Sequence, residues 1–134
     1  MQYPFKDGKP RKISSSFGMR THPITKEKKL HAGVDMVAAI PPVIVAPENG
    51  TVLEARLSDA PGGGYGYYVK LKGKGGREHI LAHMTSALKV KKGDRIVQGT
   101  PVGKMGNSGA STGRHLHWEV RVNGKPVDPI QFVD

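Results

Sequence analysis

Six histidines and no cysteine make up the chemical inventory of this chain. Five of the histidines, together with Asp35, stand at spacings that bring pairs of side chains onto a shared face. In His31-Ala-Gly-Val-Asp35 the two polar residues are four apart, so an extended chain projects both the same way. Gly33 between them leaves room for backbone or a bound group to come close. From His115 to Val122 the chain alternates strictly: His115, His117, Glu119 and Arg121 on one face, Leu116, Trp118, Val120 and Val122 on the other. His79, Leu81 and His83 share one face of the run Arg77 to Met84 by the same rule. With no thiolate available, a metal must be held by His, Asp or Glu. A hydrolytic zinc takes three such ligands and keeps one position for water. It polarises the scissile carbonyl and acidifies the water it binds. Further imidazoles nearby can move the proton or stabilise an oxyanion, because they titrate near neutral pH. A structural or incidental metal site is the competing reading of the same spacing.

The elements that must position these residues are short strands. Eighteen glycines and ten prolines favour turns over long helices. Pro41-Pro42, Gly33 and the neighbouring valines argue that Leu30 to Val37 is extended. Strands are predicted at Val43–Ala46, Thr51–Leu57, Tyr65–Lys72 and Arg77–Met84, with a short helical turn over Thr85–Lys89. Gly106, Gly109 and Gly113 mark a loop that delivers the chain into the His115–Val122 strand. Pro61-Gly-Gly-Gly64 is a flexible connection; without a following Gly-Lys-Ser/Thr it is no phosphate cradle. The expected fold is mainly β, a compact set of antiparallel strands with long loops on one side. Residues 1–134 are expected to form one domain, with 1–13 irregular.

The formal net charge is +10, with basic clusters at Lys26–Lys29, Lys70–Arg77 and Lys89–Arg95. Such a surface attracts polyanions generally. No aromatic interleaving or helix-turn-helix pattern supports a specific nucleic-acid partner. No apolar run spans a bilayer, and Met1-Gln-Tyr-Pro-Phe-Lys6 is not a signal peptide.

Several stretches resemble one family in order. His31-Ala-Gly-Val-Asp35 resembles the His-x-Gly-x-Asp motif of the lysostaphin/LytM zinc endopeptidases, and Ser111-Thr-Gly-Arg-His-Leu-His117 their Thr-Gly-x-His-Leu-His motif. Leu81-Ala-His-Met84 takes the place of Tyr-x-His-Leu. Ser16-Phe-Gly-Met-Arg20, Ala46–Val52 and Lys92–Gly103 agree as well, so the resemblance covers residues 14 to 132. It implies a β-sheet groove with bordering loops, of the lysostaphin-like duplicated hybrid motif type. It further implies one Zn2+ held by His31, Asp35 and His117. His83 and His115 would be the catalytic pair, deprotonating the attacking water and stabilising the tetrahedral intermediate. Arg20, His22 and Asn107 are expected to border the groove or position substrate or a loop. Trp118 is expected in the core and His79 at the surface or groove wall. Leu81 replaces the family's tyrosine, which would remove an aromatic substrate contact.

The function expected is zinc-dependent hydrolysis of peptide bonds in bacterial peptidoglycan, of the D-alanyl-diaminopimelate type in preference to oligoglycine. The alternatives are an inactive wall-binding or regulatory module of the same fold, and a basic polyanion-binding or nucleic-acid-binding protein. Intact His31, Asp35, His83, His115 and His117 speak against the first alternative, and their placement is left unexplained by the second. Expected partners are peptidoglycan and anionic wall polymers, with a monomeric chain. The expected site of action is the cell wall, reached as a phage-borne or holin-released enzyme or as a domain excised from a secreted protein.

Overall fold

Period-two alternation along most of the chain resolves into antiparallel strands. The computed structural model describes residues 1–21 and 24–134. In chain order the strands are β1 (Lys12–Ser15), β2 (Gly18–Thr21), β3 (Lys28–His31), β4 (Gly33–Val37), β5 (Val43–Val45), β6 (Gly50–Leu57), β7 (Tyr67–Lys72), β8 (Glu78–Met84), β9 (Arg95–Ile96), β10 (Pro101–Lys104), β11 (Leu116–Val122) and β12 (Lys125–Val127). Helical structure among the described residues is confined to 3-10 turns at Pro61–Gly63, Lys74–Gly76 and Pro129–Phe132. The main sheet runs β1-β4-β11-β8-β7-β6-β9, with β12 also paired to β11. Two ribbons, β2-β3 and β5-β10, stand off it. Among the described residues no helix is long and apolar enough to cross a membrane.

One face of the main sheet carries the core. Val34, Leu71, Leu81, Leu116, Trp118 and Val120 are fully buried there. The irregular start of the chain is tied in, because Phe5 is fully buried and bridges to Ile44. The opposite face holds a smaller cluster of Tyr68, Ile80 and Ala82, with Tyr65 packed against it. The register sets His117 opposite Asp35 on one side and Ala82 on the other. The sheet therefore brings the two histidine-containing motifs together.

Three local readings of the sequence change in the fold. The extended run from Leu30 to Val37 divides at Ala32, because β3 pairs with β2 while β4 pairs with β1 and β11. Thr85–Lys89 is not helical: the amides of Thr85 and Lys89 donate to the carbonyls of Lys104 (3.0 Å) and Val102 (2.9 Å), bonds that replace those of a helical turn. The third change concerns β8. Opposite Tyr67 and Val69 it carries an extra residue, and His83 adopts φ +62°. A β-bulge of this kind re-aims the side chains beyond it. Leu81 and Met84 both reach the core, and His83 leaves the His79/Leu81 face for the groove. The Leu81 position is thus a core position, and Tyr65 and Tyr68 supply aromatic surface to the groove instead.

His79 is likewise buried rather than at a surface or groove wall. Its Nδ1 accepts from Trp118 Nε1–H at 3.1 Å, and its Nε2–H donates to Glu48. Arg77 grips the same carboxylate in a fork at 2.6 and 2.7 Å. Burial opposes charge on Glu48, but the hydrogen bonds from His79 and Arg77 outweigh it and hold the carboxyl at about 2. This chain of polar contacts ties β8 and β11 to the turn before β6.

Candidate active site

The site begins with Asp35 on β4. Its Oδ1 lies 2.8 Å from His117 Nδ1, and its Oδ2 lies 3.2 Å from His31 Nε2. One ligand atom from each of these residues falls within 4.8 Å of the others. Ligands about 2.0–2.2 Å from a tetrahedral zinc stand roughly 3.4 Å apart, so the donor set is of the right size. The far nitrogen of each ring is fixed by an acceptor. His31 Nδ1–H donates to the Ser16 carbonyl at 2.9 Å, and His117 Nε2–H donates to Glu119 Oε1 at 3.0 Å. Since those acceptors demand protonated nitrogens, lone pairs on His31 Nε2 and His117 Nδ1 face the Asp35 carboxylate. Three converging acceptors repel one another unless a proton or a cation lies between them.

Electrostatics supplies the proton when no cation is bound. Burial works against the charged form of His117, yet the hydrogen bonds and charges of Asp35 and Glu119 push it up to about 9. Burial also opposes charge on Asp35, but the His117 hydrogen bond and the surrounding imidazoles hold its carboxyl below the usual range. The pocket suits a divalent metal, which would take the place of that proton.

Gly33 is what lets the rings approach. A Cβ there would stand 2.6 Å from the Trp118 carbonyl and 2.7 Å from His117 Cε1. No side chain fits at position 33 without displacing His117.

The second pair of histidines faces this pocket. The rings of His83 and His115 are 4.7 Å apart, and His115 Nε2 lies 3.9 Å from Asp35 Oδ1. Each again has its back nitrogen tied: His83 Nδ1–H to the Ser108 carbonyl at 2.8 Å, His115 Nδ1–H to the Gly113 carbonyl at 2.8 Å. Both carbonyls belong to the glycine-rich loop, which leaves both Nε2 atoms basic and pointed at the groove. Ser108 also closes the bulge, accepting from Tyr67 N–H at 2.9 Å and donating to the Met84 carbonyl at 2.5 Å. Burial, reinforced by the charges of His115 and His117, pushes His83 down against the pull of the Ser108 carbonyl. A left-handed backbone at a non-glycine residue is uncommon and costs on the order of 1 kcal/mol or more, and it persists where surrounding structure enforces it. All five residues line a groove of about 640 Å³.

Comparison with known proteins decides the family. The sequence model of Peptidase family M23 matches residues 29–129. The chain belongs to peptidase family M23. Family M23 relatives include DD-carboxypeptidase/endopeptidase Mpg of Neisseria meningitidis, 38% identical over 119 residues, covering 89% of this chain and 26% of Mpg. Peptidoglycan DD-endopeptidase ShyC of Vibrio cholerae is 35% identical, covering 89% of this chain and 27% of ShyC. The chain therefore spans about a quarter of the length of these relatives. Among solved structures, the catalytic domain of the antimicrobial peptidase lysostaphin from Staphylococcus simulans superposes with TM-score 0.75 at 28% identity, covering 91% of each chain. The β-sheet groove expected from the lysostaphin-like motifs is thus the fold of this M23 chain.

Within this M23 groove the remaining residues from the sequence separate. Arg20 lines it and donates to Ser15 Oγ at 2.6 Å. His22 lies outside the described residues. Asn107 accepts from Ser111 Oγ at 2.5 Å and so braces the loop behind His115. Sequence reasoning passed over Tyr65, Ser108, Ser111 and Glu119. Of these only Glu119 carried a visible signal, its place in the alternation beside the histidines.

Proposed function

We propose that this chain is the zinc-dependent catalytic unit of a peptidoglycan endopeptidase that cleaves D-alanyl-diaminopimelate cross-links. The observation that carries the proposal is the convergence of His31, Asp35 and His117 beneath the two basic Nε2 atoms of His83 and His115. The peptidoglycan and DD-endopeptidase activities of ShyC and Mpg support the substrate class. Arg20 at the groove favours a cross-link bearing carboxylates over neutral oligoglycine.

Bound zinc would supply Lewis acidity for water and for the scissile carbonyl. The rest falls to the chain's own residues. His83, neutral because it is buried among imidazoles, accepts the proton of the attacking water at Nε2. The resulting imidazolium is a donor for the departing amine. His115, on the same wall, turns its Nε2 toward the reacting carbonyl; once that nitrogen also carries a proton, the imidazolium is a fixed donor that stabilises the charge developing on the oxygen in the transition state. The carbonyls of Ser108 and Gly113 keep both rings from rotating away.

Purified peptidoglycans of the diaminopimelate and oligoglycine types, incubated with zinc-loaded protein and analysed by mass spectrometry, test this directly. Muropeptides cut at the D-alanyl-diaminopimelate bond are expected from the first wall alone. Fragments from oligoglycine bridges would refute the assigned bond. No fragments from either wall would refute hydrolysis and leave a binding module.

A further inference from the structure

Behind the metal pocket, on the His117 side of the sheet, stands Glu119, an acid only 2% exposed. Its partners are unusually many. Oε1 accepts from His117 Nε2–H at 3.0 Å, and Oε2 accepts from Arg121 Nε–H at 2.6 Å. The Tyr65 hydroxyl lies 3.1 Å from both oxygens. The Tyr65 ring also stacks on His117 at a centroid distance of 6.1 Å and 25°. The His117 imidazole is thereby held from two sides, along its edge by the carboxylate and across its face by the phenol.

We propose that Glu119, anchored by Arg121 and Tyr65, is the positioning residue that makes Nδ1 of His117 the metal-binding atom. The inference rests on the metal reading of the site given above. An imidazole has two nitrogens of comparable basicity, and which one binds a metal is set by the hydrogen bond the other makes. A buried carboxylate can only accept, so it fixes the proton on Nε2 and leaves the Nδ1 lone pair toward Asp35. Its negative charge also makes the ring a stronger donor. Arg121 and Tyr65 are needed because an acid buried this deeply must have its charge and lone pairs satisfied. Glu119 itself does not touch substrate. Its place in β11 follows from the strand: two residues beyond His117 is the next position on the same face.

The test is zinc affinity, measured by competition with a chromogenic chelator, for wild type, Glu119→Ala and Glu119→Gln. Loss of an outer partner of this kind weakens binding about 10–100-fold, the result expected for Glu119→Ala. Glu119→Gln keeps an acceptor for Nε2–H but no charge, and is expected to lie between the two. Nitrogen-15 NMR of the zinc-loaded wild type is expected to show the proton of His117 on Nε2. That measurement needs no variant and stands even where Glu119→Ala fails to fold. A folded Glu119→Ala protein binding zinc within about twofold of wild type would overturn the inference while leaving the metal site intact. A His117 proton on Nδ1 would overturn it equally. A wild-type protein that binds no zinc would instead overturn the metal reading, and this inference with it.

Discussion

The acid–base state of two residues governs what the site can do. In the metal-free protein His117 keeps its proton up to about 9, held by Asp35 and Glu119 against the effect of burial. Metal must displace that proton, so zinc binding at pH 7 is expected to release about one proton per ion from this ring. Calorimetry in buffers of different ionisation enthalpy measures it, and zinc uptake with no proton release would contradict the geometry. The same raised value has a stability consequence. Its contribution is full below the ordinary 6.5 and is lost as pH rises through about 9, so the metal-free protein is expected to weaken across that window in urea unfolding. His83 acts in the opposite sense, starting neutral and ready to accept a proton. His83→Ala is expected to lower the hydrolysis rate by about 10²–10⁴-fold while leaving zinc stoichiometry unchanged, the signature of a proton-transfer group rather than a ligand. Strand alternation and the His-x-x-x-Asp spacing made His31, Asp35, His115 and His117 candidates for a metal, and only the family resemblance singled out His117 over His115 as the third ligand. His83 was legible only through family resemblance, since alternation puts it on the core face and a bulge takes it off.

Elements meet at the site through missing side chains as much as through present ones. Gly33 permits β4 and β11 to bring Asp35 and His117 into contact, and Gly66 and Gly109, both at positive φ, let two loops touch backbone to backbone beside Ser108. Gly33→Ala drives a Cβ into the Trp118 carbonyl and the His117 ring. It is expected to cost about 1–3 kcal/mol in chemical unfolding and to weaken zinc binding at the same time, because the strand and the ligand must move together. Unchanged zinc affinity in a folded Gly33→Ala protein would show that the pocket tolerates the displacement. Glycine as a residue of close approach was visible between His31 and Asp35. The loop contact of Gly66 with Gly109 was not, because those residues are distant in sequence and no local pattern links them. Thr85–Lys89 was misread for a related reason: its backbone amides find carbonyls on β10, and a local propensity says nothing of that partner.

Across the whole molecule, the polar chain Trp118–His79–Glu48–Arg77 crosses the sheet behind the groove. Removing His79 leaves a buried indole N–H and a carboxylate short of partners, at about 1–3 kcal/mol for each group. His79→Ala is accordingly expected to be less stable yet to hydrolyse normally per folded molecule, and loss of turnover without loss of stability would contradict this purely structural role. Glu48 is depressed to about 2, so its contribution is present above the ordinary 4.5 and is lost as pH falls through about 2; acid unfolding is expected to begin in that interval. The net charge of +10 acts over the whole surface, and attraction to anionic wall polymers is expected to weaken as salt is raised in a sedimentation assay. Charge and fold class were evident from composition and turn residues. The strand order was not, since β11 lies between β4 and β8 by pairings that skip long stretches of the intervening chain. The central claim, that His31, Asp35 and His117 form a one-zinc hydrolytic site, is tested most directly by measuring zinc content and muropeptide release on the same samples. Wild type, chelator-treated wild type and His117→Ala are the samples to compare. One zinc per chain is expected, with metal and fragments disappearing together on chelation or in the variant. Cleavage that persists in protein stripped of metal would contradict it.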